Sequence, residues 1–374
     1  MPTISASTID KIKDLVKKDI EAKSTAVTGS ADPFWKRLPE AGTELWLDTG
    51  DIDAASELWS AEMTALTTNN TLLNKEIQKG IYDGFIGEAA AILGDLDRGH
   101  KVSEIAFILN ARHGLRLVHT FGGDVSVELH TNLADDLEGM VHYGRRFHEI
   151  EPEHFIVKVP LTATGLLGAR RLREAGVRVN FTLEFSARQN AVVAAAARPN
   201  YCNVFLGRLN AYVKDNGLGD GVNVGEKATI ASQNAVREIT ASREVPTRQI
   251  AASMRSGDQV RKLAGVDVFT VPTKVAKEAH ETLQPDFASQ LDTNYQVEIS
   301  PSVDQTEVRI EKLWEVDETV RAFAQSLDEN TPHTGDEVTQ RAREMGLGDM
   351  FPEMSAGELE HIARLRRVEH EPRL

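Results

Sequence analysis

Phe155-Ile156-Val157-Lys158-Val159-Pro160 is an unbroken apolar run with one lysine inside it. Six residues is strand length, and the absence of polar alternation reads as a strand covered on both faces. With period two, Phe155, Val157 and Val159 share one face, and Ile156, Lys158 and Pro160 share the other. A strand of this kind belongs to a parallel sheet with helices packed on it. Its lysine is the anomaly. Burial disfavours the ammonium form and lowers a lysine's pKa, and a neutral amine is what attacks a carbonyl to form a Schiff base. The alternative for Lys158 is a stem laid along apolar surface with its head in water, or a pair with a core carboxylate.

Outward from that run, the chain between about Thr43 and Pro272 alternates short apolar segments with helical ones, the rhythm of parallel strands joined by crossover helices. The expected strands are Glu44 to Asp48, Ala65 to Thr68, Asp124 to Leu129, Phe155 to Pro160, Val177 to Phe185, Tyr201 to Gly207, Gln249 to Ser253 and Val266 to Val271. Eight such units predict a (β/α)8 barrel in preference to an open doubly wound sheet. One connecting helix covers Leu166 to Ala175 with Gly176 as its stop; another starts behind Ser186 and must end before Pro199. The glycines from Gly217 to Gly225 do not fit G-x-G-x-x-G and follow no strand, which predicts a loop and argues against dinucleotide binding.

The expected organisation is one barrel domain over 1–374. Its strands and motifs occupy 43–275, between helical extensions at 1–42 and 276–374. In the first extension, Ile9, Ile12, Val16 and Ile20 recur at helical spacing behind Ser7 and Thr8 as caps. The tail from about Pro301 to Leu374 reads as charged and mostly helical, with a loop signal at Asp328 to Gly335.

With 374 residues and 41% hydrophobic content, the chain can bury a large core. Its 42 Lys and Arg against 57 Asp and Glu give a net charge of −15, which repels phosphate backbones and anionic lipid surfaces, so neither nucleic acid nor membrane is an expected partner. An anionic substrate then needs a local group of arginines set against that field. Cys202 is the sole cysteine, no His/Cys cluster has metal-ligand spacing, and no stretch approaches the ~20 apolar residues of a membrane span. With no secretory apolar core in Met1 to Lys23, a reducing, cytoplasmic setting is expected. No metal or cofactor is called for, and a homo-oligomer stays open.

In such a barrel the polar residues at the C-terminal ends of the strands converge on one mouth. They are Asp48; Thr68 and Asn69; Ser126 and Glu128; Lys158 and Thr162; Asn180, Thr182 and Glu184; Asn203, Phe205 and Arg208; and Ser253 and Arg255. Two carboxylates beside one buried lysine supply acid, base and nucleophile for carbon–carbon cleavage through an imine. Ser253 and Arg255 follow the seventh strand, where such barrels often hold a phosphate. Taken singly, each of these residues also reads as a cap or a satisfied core hydrogen bond.

These residues resemble the transaldolases, Schiff-base enzymes on a (β/α)8 barrel, over roughly Leu45 to Lys274. The matching motifs are Asp48-Thr49-Gly50-Asp51, Thr67-Thr68-Asn69-Asn70-Thr71, Val125-Ser126-Val127-Glu128, Lys158-Val159-Pro160-Leu161-Thr162, Asn180-Phe181-Thr182-Leu183-Glu184-Phe185-Ser186, Phe205-Leu206-Gly207-Arg208 and Ser253-Met254-Arg255. The resemblance implies that Lys158 forms the imine, that Asp48 is general base on the C4 hydroxyl, and that Glu128 works with Thr182 through a water. It implies Asn69, Asn180, Asn203 and Phe205 as contacts to the ketose, and Arg208, Ser253 and Arg255 as phosphate ligands.

The implied reaction is a transferase step of the pentose phosphate pathway: a dihydroxyacetone unit passes from fructose 6-phosphate or sedoheptulose 7-phosphate to erythrose 4-phosphate or glyceraldehyde 3-phosphate. The sequence departs from the family pattern at Asn70 (proline in the family), Ala163 (tryptophan), Glu184 (apolar) and Asn203 (serine). An inward Glu184 calls for a partner such as an arginine or disfavours an anionic group nearby; the alternative is a local salt bridge on a helix-facing side. Three rival readings stand beside the transferase. One is a fructose 6-phosphate aldolase, for which glutamine and tyrosine would be expected at Glu128 and Phe205. The others are a transaldolase-like enzyme for a modified, for example sulfonated, ketose and a non-catalytic sugar-phosphate-binding barrel.

Overall fold

The computed structural model describes residues 4–352; the part of the expected helical tail at 353–374 lies outside the described residues. Eight parallel strands close in sequence order: β1 Glu44–Asp48, β2 Met63–Thr67, β3 Asp124–Glu128, β4 Phe155–Pro160, β5 Val179–Thr182, β6 Tyr201–Phe205, β7 Arg248–Ala252 and β8 Val268–Pro272. Closure is visible at Asp48, which is in register with Thr67 on one side and Pro272 on the other. The expected (β/α)8 barrel is therefore the fold.

Period two assigns the two faces of each strand. Trp46, Ala65, Ile156, Ile250, Ala252 and Val268 form the apolar plug inside the barrel. Leu45, Leu47, Val125, Val127, Phe155, Val157, Val159, Phe181, Val204 and Phe269 face the helical layer. One step beyond the plug toward the C-terminal ends, the inward positions turn polar at Asp48, Thr67, Glu128, Lys158 and Asn203. A barrel too narrow to be a pore thus has a packed lower half and a reactive mouth.

The departures from expectation have local causes. β5 is four residues rather than nine, because Leu183 takes φ +73° and turns the chain out of the strand. The N-terminal helix Ala6–Lys17 is capped by Ser5, which accepts from the Thr8 N–H at 3.1 Å, and neither Ser7 nor Thr8 is the cap. Ile12, Leu15 and Val16 bury its inner face, while Ile20, expected on the same helix, is buried in the separate turn Ile20–Lys23; Arg112 donates to the Val16 carbonyl at 3.0 Å. The helix behind Ser186 continues from Ala187–Val192 as a π turn over Val193–Ala197 and stops where Arg198 takes φ +51°.

The expected boundary at 275/276 falls inside the helix Thr273–Thr282, the crossover segment that follows β8. Beyond it, residues 284–304 form no helix, contrary to the helical extension expected over 276–374. This strap is tied down by Gln290 N–H to the Ala264 carbonyl (2.7 Å) and Ser300 N–H to the Leu218 carbonyl (2.9 Å). Helices Glu318–Glu329 and Gly335–Glu344 then flank a loop near the expected site, and their Phe323, Leu327, Val338 and Ala342 join the main core. Residues 217–223 form the loop expected over 217–225, whose last two residues instead open helix Val224–Thr240. No described helix is long and apolar enough to cross a membrane.

Candidate active site

The barrel mouth is a pocket of about 890 Å3 whose wall includes Asp48, Asn69, Glu128, Lys158, Thr182, Asn203, Phe205, Arg208, Ser253 and Arg255. Of the residues to which the resemblance gives a role, only Asn180 is missing from that wall. It is fully buried behind it, its Oδ1 accepting from Asn203 Nδ2 (2.7 Å) and its Nδ2 donating to Ser126 Oγ (3.0 Å). Thr162, also read at a strand end, is instead a cap. Its hydroxyl accepts from Gly165 N–H (2.8 Å) and donates to the Ala134 carbonyl (2.6 Å).

Lys158 is 7% exposed and its Nζ donates to the Thr68 carbonyl at 2.5 Å. Barrel register puts Glu128 on one side of it and Asn180 on the other. A single neutral acceptor, with no ion pair among the described residues, leaves the amine available to a carbonyl in the pocket. The alternative of a core carboxylate partner does not hold.

Asp48 ends β1 and receives the Thr67 hydroxyl at 2.8 Å; Thr67 in turn meets Thr270 at 2.6 Å. Burial pushes the Asp48 carboxyl up, while the Lys158 charge and the Thr67 hydrogen bond pull it back. A carboxylate with raised proton affinity beside an amine is suited to general-base work. The turn after Asp48 is held from outside by His113, whose ring spans the Gly50 carbonyl (2.7 Å) and the Tyr82 hydroxyl (2.7 Å). Burial lowers His113 to about 4, so it stays neutral there, donating to Gly50 through Nε2–H and accepting from Tyr82 at Nδ1.

Asn69 caps helix Asn70–Gln78, accepting the Leu72 N–H at 2.9 Å, which leaves its amide NH2 at the pocket wall. On the opposite side, Arg208 and Arg255 are exposed and form no ion pair among the described residues; Arg208 lies 5.4 Å over the Phe205 ring. Gly207 allows the β6 and β7 ends to approach, since a Cβ there would meet the Ser253 carbonyl at 2.1 Å and Arg255 Cγ at 2.5 Å. Ser253 itself holds φ +63°, a strained setting at the point where an anion would bind. A third unpaired cation, Lys274, lines the pocket beyond β8 and was missed from sequence. Its signal was its place two residues past the last strand. In a chain of net charge −15, three unpaired cations around one pocket make a local anion site.

Glu184 contradicts the expectation of an arginine partner or a salt bridge. Fully buried, it accepts the Asn203 N–H at 3.2 Å through Oε1, and Oε2 has no hydrogen-bond partner among the described residues. Burial raises it to about 8 against the pull of the Asn203 N–H and the Lys158 charge, so it carries a proton at neutral pH. Two of the four departures thus sit together, with Glu184 holding the backbone of the residue whose side chain reaches the pocket. No group of three or more His, Cys, Asp or Glu among the described residues is placed to hold a metal ion.

A sequence model described as transaldolase/fructose-6-phosphate aldolase matches residues 45–332, well past the Lys274 at which the motif resemblance stops. A probable transaldolase of Thermus thermophilus is 33% identical over 63% of this chain and 89% of its own length. A transaldolase of Chlamydia muridarum is 29% identical over 64% and 74%. A probable transaldolase of Bacteroides fragilis is 30% identical over 63% and 88%. Barrel, motifs and this match across most of its length together make the chain a member of the transaldolase/fructose-6-phosphate aldolase family, a family of enzymes.

Proposed function

We propose that this enzyme is a transaldolase that moves a dihydroxyacetone unit between sugar phosphates through a Schiff base on Lys158. The observation that carries the reading is Lys158 itself: a buried amine with one neutral acceptor, sharing its pocket with the carboxylates Asp48 and Glu128 and a rim of unpaired cations. Arg208, Ser253 and Arg255 hold the phosphate of a ketose such as fructose 6-phosphate or sedoheptulose 7-phosphate, which brings its carbonyl to Lys158. The unprotonated amine adds to the carbonyl, and Glu128 with Thr182 moves the protons as water leaves and the iminium forms.

Asp48 then takes the C4 hydroxyl proton, the C3–C4 bond breaks, and its electrons pass to the iminium as an enamine. The first aldose phosphate departs. Asn69 and Asn203, the latter fixed by Asn180, hold the enamine until erythrose 4-phosphate or glyceraldehyde 3-phosphate arrives. The enamine carbon attacks that aldehyde, Asp48 returns its proton to the new hydroxyl, and water hydrolyses the imine. In this reading the enzyme serves the pentose phosphate pathway in the cytoplasm.

The family also contains aldolases that release dihydroxyacetone to water; Glu128 and Phe205 favour transfer here. Product analysis by mass spectrometry with fructose 6-phosphate, with and without erythrose 4-phosphate, separates the two. Sedoheptulose 7-phosphate formed only with the acceptor supports the transferase. Free dihydroxyacetone without it identifies an aldolase, and no product in either tube points to a modified ketose or to binding alone.

A further inference from the structure

Asn70 stands where the resembled family has proline, and it is the first residue of helix Asn70–Gln78. Proline is favoured at a first helical position: its ring presets φ, and the N–H it lacks has no acceptor within the helix. The preceding residue, Asn69, is extended at φ −152° and ψ 168°, as a residue before proline must be. Nothing in the local backbone therefore excludes proline at position 70. The asparagine here uses what proline would remove.

Its backbone N–H donates to Glu128 Oε2 at 2.9 Å, and its side-chain Nδ2 donates to the same oxygen at 2.9 Å. Nδ2 also reaches the Leu129 carbonyl at 3.1 Å, and the Glu128 carbonyl accepts from Asn110 Nδ2 at 2.8 Å. One carboxylate oxygen of Glu128 is thus held by two donors from Asn70, while the backbone of Glu128 itself is tied to helix Arg98–Phe121 behind it. Glu128 pairs across the sheet with Lys158 and lines the pocket. We propose that Asn70 is a positioning residue for proton transfer at the imine, fixing Glu128 in one rotamer and leaving Oε1 as its free acceptor toward the reacting atoms.

This inference rests on the role given to Glu128 above. Two N–H donors on one oxygen restrain the carboxylate's rotation, and their removal takes away hydrogen bonds of the kind a carboxylate accepts best when ionised. A proline at 70 supplies neither donor, and an alanine supplies only the backbone N–H.

The test compares Asn70→Pro, Asn70→Ala and Glu128→Gln in steady-state transfer from fructose 6-phosphate to erythrose 4-phosphate across pH. Asn70→Pro is expected to lower kcat about tenfold or more, the scale of losing charge-assisted hydrogen bonds. It should move the acidic limb of the kcat profile up by roughly one pH unit, leaving KM within about twofold. Asn70→Ala, which keeps the backbone donor and the fold, should fall between it and the parent.

If Glu128→Gln is crippled while both Asn70 variants keep the parent kcat and pH profile, the inference is overturned and the mechanism stands. A loss of kcat with an unmoved pH profile also overturns it, because that is what a merely structural role would give. If Glu128→Gln is silent, the reading of Glu128 itself has failed, and the inference falls with it.

Discussion

Glu184 is the residue whose behaviour is furthest from what its type would suggest. Its proton affinity is raised from an ordinary 4.5 to about 8, so the folded chain holds a proton there that the unfolded chain has released. The stability linked to this proton is complete below about pH 4.5 and is lost as pH rises toward about 8. Between about pH 5 and pH 8 the loss is on the order of 4 kcal/mol. Glu184→Gln mimics the protonated acid without titrating, so its stability relative to the parent should grow by that order across the window in urea unfolding. An unchanged difference would contradict the buried, protonated acid. At the rim, Arg208→Ala or Arg255→Ala should raise KM for fructose 6-phosphate about tenfold to a hundredfold, the scale of a lost charge-assisted contact. Unphosphorylated dihydroxyacetone should still form the Lys158 adduct, which adduct trapping checks. Most of these side chains were legible at strand ends, because period two fixes which face they share. The side-chain directions of Asn180 and Asn203 were not, since they depend on contacts between strands that no single segment encodes.

Elements bring the two halves of the site together, and one close approach is decisive. Gly207→Ala would drive a Cβ into the Ser253 carbonyl and Arg255, so the β6 and β7 ends must separate. The expected result is an overpacking cost of about 1–3 kcal/mol together with a raised KM for the phosphorylated donor. Thermal unfolding and kinetics of the one variant report both. Behind the site, helices Arg98–Phe121 and Leu137–Ile150 are joined by a buried fork in which Arg146 meets Glu104 twice at 2.8 Å, with the Tyr143 hydroxyl on the same carboxylate at 2.7 Å. Arg146→Ala strands that carboxylate and should cost about 3–5 kcal/mol in chemical unfolding. Apolar runs revealed all eight strands, but the early end of β5 came from a single left-handed leucine, a residue with no propensity for that conformation. The Arg146 fork joins residues far apart in the chain, and neither helix alone signals it.

At the scale of the whole molecule, one cluster of buried residues runs from Ile12 of the first helix, around the outer faces of the barrel strands, to Phe351. We propose on this ground that the terminal segments fold with the barrel as one domain. Phe323, fully buried outside the barrel, provides the test. Phe323→Ala should cost about 3–5 kcal/mol in a single cooperative transition, whereas a separate early transition would contradict a common core. The barrel was readable from its alternating rhythm, while the path of 284–304 was not, because a strap held by scattered backbone hydrogen bonds carries no periodicity. The central claim is that Lys158, and no other amine in the pocket, carries the substrate. Borohydride reduction in the presence of fructose 6-phosphate, followed by peptide mass spectrometry, tests it most directly. The account predicts a reduced sugar adduct on the peptide containing Lys158 and none in Lys158→Ala; an adduct on Lys274 instead, or on no lysine, would contradict it.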